Sequence, residues 1–297
     1  MAQSFPADVI VLDEDALLHA RLARGKKGPR IVQAKSYRLG ANTFVPAVVT
    51  PQLTNESSLA DAVRRLRVET GRWDSASVLL PDSWFRMNIL ELPVLPESAK
   101  DAEDMVRWSL KRTMPLDPML LRIRYEVLSR TPSHTRVLAV SAIEQTLAAI
   151  EKVFATAGID VILIEPIGVN IWNAITTREP NTSRDRIFFY VRDGEFTTAV
   201  FRGSQPMFIR SRNLKGERTI EQEIKLSASY LRDTLQTDSV EQCYLSGSAN
   251  GELSSVIAAQ FHAPVRTVSL ADLSDGWPDG ADPYESELAA CTGVFTS

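Results

Sequence analysis

The 297-residue chain has only two cysteines, Cys243 and Cys291, far apart and each in an apolar context. Two thiols so placed exclude a disulfide framework and fit reduced, buried side chains. No stretch approaches the roughly 18 apolar residues that a membrane helix needs. The opening "MAQSFPADVIVLDED" has no basic region and no long apolar core, so no signal peptide is expected. Positive charge is not in excess either. The net charge is -4 and the pI about 5.6, which excludes nucleic acid as a partner by bulk electrostatics. His19, His134 and His262 are the three histidines, and they lack the spacing of metal ligands. There is no G-x-S-x-G elbow and no Cys-His signature. Neither "LKGERT" nor "GKKGPR" has Walker A spacing.

What is present is ordinary globular material: 44% hydrophobic, 24% charged and 7% aromatic residues, enough for two domains with real cores. Residues 8 to 40 alternate apolar and polar positions in three runs, which predicts three antiparallel strands. The basic "ARLARGKKGPR" between two of them reads as a solvated hairpin turn; contact with anionic lipid or an acidic partner is the sharper alternative. A helix follows with Leu59, Val63 and Leu66 on one face, capped by Ser57 or Ser58 and ended by Gly71. "PESAKDAEDMVRWSLKRTMP" is amphipathic, acidic early and basic late, as the helix dipole favours. Two hairpin strands, a helix closed by Gly158, the apolar strand "DVILIEP", expected to be fully buried, and another helix follow.

The polar "REPNTSRD" then reads as a linker, after which the pattern restarts. "RIFFYVRDGEFTTAVFRGSQPMFIRSRNLKG" supplies three strands, with Asp-Gly as a two-residue turn. A helix opens on a capping box of Thr219 and Gln222, followed by strand, helix and a short last helix. The order of the second half repeats that of the first, apart from an extra segment at about 80–160. Such a duplication is an architecture and by itself no function.

Three features in this order resemble the PilM family of type IV pilus assembly proteins: "LLPDSWFRMNILELP" with "KRTMPLDP" and "IRYEVL"; "FATAGIDVILIEPIGVNIWNA"; and "FIRSRNLKGERTIEQEI" with "CYLSGSANGELSSVIAAQF" and "LAACTGVF". The resemblance spans nearly the whole chain. It implies an α/β actin-like fold, duplicated in the RNase H-like manner and related to FtsA. Residues 1–180 would form the first lobe, with a 1C-type subdomain inserted at about 80–160, and residues 181–297 the second. It implies a cytoplasmic adaptor, peripheral at the inner membrane, whose partner is the N-terminal tail of a PilN-like membrane protein. A pilus assembly ATPase and further copies of the chain are the other partners it suggests. The related secretion protein GspL continues into a membrane helix, whereas this sequence stops at Ser297, which favours the PilM arrangement.

The resemblance also directs attention to a nucleotide cleft. The family's first phosphate turn carries Asp, a close-approach Gly and a Lys. The aligned residues here are Val11, Asp13 and Leu18. In the second turn Tyr190 and Arg192 replace Asp and Gly. In the adenosine loop, "LSGSANG", Gly247 and Gly251 remain while Ser248 replaces the second glycine. Without glycine, and with the stacked acids Asp13, Glu14 and Asp15, the first turn repels a triphosphate. The expectation is a vestigial cleft at Asp13, Arg192, Gly247 and Gly251 with no cofactor. The alternative is an ATPase or kinase that holds ATP and Mg²⁺ through divergent phosphate loops, with Asp13, Glu14 or Asp15 as its acid. For Trp84, Phe85 and Trp108 core packing is the plainer reading. An apolar peptide groove is the other, and by motif position it would be lined by Trp84, Arg86, Leu90, Trp108 and Arg112.

Overall fold

The computed structural model describes residues 5–47, 49–112, 116–179, 182–192, 194–214, 219–235, 239–248, 251–279 and 284–294. In the first half, strands β1 (Asp8–Leu12), β2 (Ala16–Arg24) and β3 (Pro29–Arg38) form the antiparallel run. A two-stranded ribbon, β4 (Phe44–Val45) and β5 (Gln52–Leu53), leads to helix α1 (Glu56–Thr70) and strand β6 (Ser75–Leu80). Strand β7 (Arg86–Leu92), helix α2 (Ala99–Lys111), strands β8 (Leu121–Arg130) and β9 (Thr135–Ile143) and helix α3 (Glu144–Thr156) come next. Strand β10 (Asp160–Pro166) and helix α4 (Ile167–Thr176) close this half. The second half holds β11 (Asp185–Arg192), β12 (Glu195–Arg202), β13 (Gln205–Asn213), α5 (Ile220–Tyr230), β14 (Val240–Gly247), α6 (Gly251–Phe261), β15 (Val265–Thr267), α7 (Leu270–Leu273) and α8 (Glu285–Val294).

The strands assemble into two five-stranded sheets of matching design, β10-β6-β1-β2-β3 and β13-β12-β11-β14-β15. In each, a central strand pairs antiparallel with the next strand and parallel with a later one. The period-two alternation of a strand sends neighbouring residues to opposite faces. Val9 and Val11 therefore enter one core while Ile10 and Leu12 enter another. In β11, Phe188 and Tyr190 join the first of these cores, and Ile187, Phe189 and Val191 a third with α5 and α6. The core shared by both sheets contains α4 and α8, which pack on each other; α8 also packs on β1, β2 and β3.

A separate sheet, β7-β9-β8, is covered on one face by α2 through Leu90, Val106, Leu110 and Ile123. Its helix starts at Ser98, whose side chain accepts the Asp101 N–H at 3.4 Å. The capping box of Thr219 and Gln222 is present as read. Two local expectations are corrected. Helix α1 is capped by Asn55, whose side chain accepts the Ser58 N–H at 3.1 Å, so neither Ser57 nor Ser58 is the cap. Strand β10 is not fully buried, because it forms the edge of its sheet and leaves Ile162 exposed. The Asp-Gly turn falls partly outside the described residues at position 193; Gly194 has φ +78°.

Gly293 marks where α8 meets α4: any Cβ there would run into the Asn170 carbonyl oxygen. Gly293→Ala is expected to cost roughly 1–3 kcal/mol, as overpacking of a filled core does. Chemical denaturation with the slope unchanged and the midpoint lowered would show it.

Candidate functional site

The ends of β1 and β11 face each other across the two halves, and the residues there build an ion cluster. Asp13 closes the β1–β2 turn, its N–H donating to the Ala16 carbonyl at 2.9 Å. Arg192, the last residue of β11, sends Nη2 to Asp13 Oδ2 at 2.7 Å and to Glu287 Oε1 of α8 at 3.0 Å. The three side chains are each less than a quarter exposed. Beside them, the Ser83 hydroxyl donates to Glu195 Oε1, and Asp82 Oδ1 accepts the Gly168 N–H of the first turn of α4 at 2.7 Å. Two links, Asp13–Arg192 and Ser83–Glu195, therefore join the first-half turns to the second half, and Arg192 is tied on to α8.

Burial pushes Asp82 up to about 6, although the Gly168 N–H, the Thr197 hydroxyl and Arg192 pull it down. Burial likewise pushes Glu195 up to about 7, with Asp82 and Asp13 adding to it and Ser83 and Arg192 opposing it. Burial works against the Arg192 charge, but Asp13, Tyr190, Glu287 and Glu195 outweigh it and hold the guanidinium firmly protonated. Acids therefore outnumber the single base here. A triphosphate reaching this cluster would meet Asp13, Asp82, Glu195 and Glu287 and an Arg192 already paired with two of them. Val11 and Leu18, at the positions of the metal ligand and lysine, are buried core residues. These side chains do not fit a triphosphate with its metal. Among the described residues no group of His, Cys, Asp or Glu has metal-holding geometry.

Gly247 adopts φ +92° and lies so close to β11 that a Cβ would overlap the Val191 carbonyl oxygen. That oxygen accepts the Ser248 N–H at 2.7 Å, tying the β14 end to the β11 end. Gly251 opens α6 in open space; residues 249 and 250 of the adenosine loop lie outside the described residues. Asp13 and Arg192, expected in the cleft, are brought together. Glu287, Asp82 and Glu195 join them without having been singled out: Glu287 is remote in sequence, Asp82 sits in the quoted "LLPDSW" stretch, and Glu195 follows Arg192 across the Asp-Gly turn.

The residues named for a groove fall in three places. Trp84 is 1% exposed and packs on Phe44. It and Arg86 line a small 190 Å³ pocket with Glu14 and Arg212. Leu90 lies in the core under α2. Trp108 is 64% exposed on α2, with the Arg112 guanidinium 5.9 Å from its ring centre.

A larger groove of 650 Å³ runs elsewhere, between the β7-β9-β8 sheet, β10 with α4, and β12. On β8 it touches Arg124, Tyr125, Glu126, Val127 and Leu128, and on β10 Leu163, Ile164, Glu165 and Pro166. Successive residues of a strand point to opposite faces, so contact with every one of them means that the groove follows the strand's edge. Both β8 and β10 are edge strands of their sheets. Val140, Val169, Trp172 and Phe201 add apolar lining, and Phe85 reaches it from the end of the Trp84 turn. This combination of free backbone edges and apolar side chains had no signal in sequence, because the two edges are some forty residues apart and belong to different sheets.

Two duplicated sheets, with helices between them and a third small sheet inserted in the first half, define the class: this chain has the actin-like ATPase fold. No family model matches the sequence, and no curated protein matches it. Among solved structures it is similar over 98% of its length, at 16% identity and a TM-score of 0.78, to 98% of a chain of the PilM-PilN type IV pilus biogenesis complex. It is also similar to the cytoplasmic domain of EpsL, an inner membrane component of the type II secretion system of Vibrio cholerae. There the identity is 14%, the TM-score 0.53, and the match covers 98% of this chain and 94% of that one. A Bacteroides thetaiotaomicron protein of unknown function with an actin-like ATPase fold matches at 11% identity and TM-score 0.54, over 96% and 95% of the two chains. At these identities the likeness is one of fold. No helix among the described residues is long and apolar enough to cross a membrane.

Proposed function

We propose that the chain is a non-catalytic adaptor of pilus or related secretion assembly that holds the N-terminal tail of a PilN-like membrane protein. The observation that carries this reading is the groove between the edges of β8 and β10. An extended tail laid there gains main-chain hydrogen bonds from an unpaired strand edge and buries alternate side chains in the apolar lining. The protein would sit at the cytoplasmic face of the inner membrane through this partner. A pilus assembly ATPase and other copies of the chain are further partners consistent with an adaptor.

The Arg192 cluster supports the non-catalytic part. Side chains paired in this way between the two halves would hold the cleft without a nucleotide. Titration calorimetry with a synthetic tail peptide and, separately, with Mg-ATP tests both parts. Peptide binding without heat from Mg-ATP is expected. Saturable Mg-ATP binding that is lost in Asp13→Ala would favour the opposite reading, an ATPase or kinase with divergent phosphate loops. Leu163→Arg, which puts a charge on the groove wall, is expected to weaken the peptide by tens of fold and, because Leu163 also packs on the core, to melt lower while staying folded.

A further inference from the structure

We propose that Glu165 sets the specificity of the groove by taking a lysine or arginine side chain of the bound tail. The inference rests on the peptide reading of the groove. Glu165 lies on the free edge of β10, in the groove wall. Its Oε2 accepts the Asn170 amide Nδ2–H at 3.0 Å. The same amide donates to the Pro166 carbonyl at 3.0 Å, so it is anchored and holds the carboxylate from behind. Oε1 accepts no hydrogen bond from any described residue, and no described cation pairs with the carboxylate. Burial alone lifts its affinity for a proton, with the Asn170 bond opposing.

The two arginines of the groove are held elsewhere. Arg122 is forked between Glu144 (2.6 Å) and Glu151 (2.5 Å). Arg124 stands exposed with Nη1 donating to the Ile123 carbonyl at 3.1 Å. A half-buried carboxylate without a counter-ion is poorly solvated, and a cation brought by the ligand relieves that cost. Apolar lining around one such acid suits an extended, mostly apolar segment with one basic residue. An acidic residue at the same point would be rejected.

The test uses the full chain and a synthetic peptide of the partner's N-terminal tail, with each basic residue replaced by Met in turn. One replacement is expected to weaken binding about tenfold. Glu165→Gln, which keeps the Asn170 contact, should weaken the parent peptide by the same factor and the Met peptide no further. Glu165→Gln should melt no lower than the parent chain, since an uncompensated, half-buried acid has become an amide. Additive losses, or no basic position coupled to Glu165, would overturn the role of Glu165 while leaving the groove intact. Unaltered binding by Leu163→Arg, or no binding at all, would instead remove the groove reading and this inference with it.

Discussion

Replacing Arg192 by Met is expected to lower the unfolding midpoint by about 6–12 °C. The guanidinium is 15% exposed and bonded to two carboxylates, Asp13 at the β1–β2 turn and Glu287 on α8. Removing one partner of such a group leaves the others charged and poorly solvated, at a cost of roughly 3–5 kcal/mol. In a chain of this size each kcal/mol moves the midpoint by about 2–4 °C, and the lower end of the cost applies because Asp13 and Glu287 retain some water. Arg192→Lys should fall between, since an ammonium keeps the charge but not the reach and orientation by which Nη2 meets both acids. Adding Asp13→Asn and Glu287→Gln to Arg192→Met should recover most of the loss, because no uncompensated charge is then left from the triad. Circular dichroism melts of the four proteins decide it. A Met variant that melts with the parent would mean that the cluster is held apart by solvent and does not join the lobes.

The second large effect is on pH. Asp82 and Glu195 ionise near 3.8 and 4.5 when unfolded, and burial raises them to about 6 and about 7 in the folded chain. Between those values the folded state binds more protons than the unfolded state, so stability falls as pH rises. The contribution is complete below about pH 4 and is lost as pH passes 6 for Asp82 and 7 for Glu195. Each shift corresponds to a change on the order of 3 kcal/mol. The parent should therefore melt lower at pH 8 than at pH 5. An Asp82→Asn, Glu195→Gln chain should show a much flatter profile, since amides do not titrate. Parallel profiles for the two proteins would place the pH dependence in other groups.

The difference between what the sequence disclosed and what it did not follows the range of the interactions. The capping box at Thr219 and Gln222 is legible because both partners lie within three residues. The Asn55 cap was passed over because three polar side chains compete within four positions, and only the entry angle of the chain selects one. The apolar run of β10 looked buried because composition registers hydrophobicity and not sheet order; as an edge strand it keeps its apolar residues for a groove. Arg192 was conspicuous as a departure from a phosphate turn. Its partner Glu287 lies ninety-five residues further on and becomes its neighbour only when α8 packs back on the first sheet. Glu165 looked like one more residue of a strand until the missing neighbour of β10 left its side chain in a wall.

That return of α8 has a consequence for how the protein is made. The helix at residues 285–294 completes the core around β1 and β2, which leave the ribosome more than two hundred residues earlier. Until translation reaches it, the inward face of the first sheet has α4 but lacks Leu288, Ala290 and Val294 against it. The first lobe therefore cannot finish folding while the second is being synthesised, and a fragment ending at residue 279 should stay loosely packed and bind chaperones. Both halves are therefore expected to mature together, once residues 285–294 have been made and can pack back.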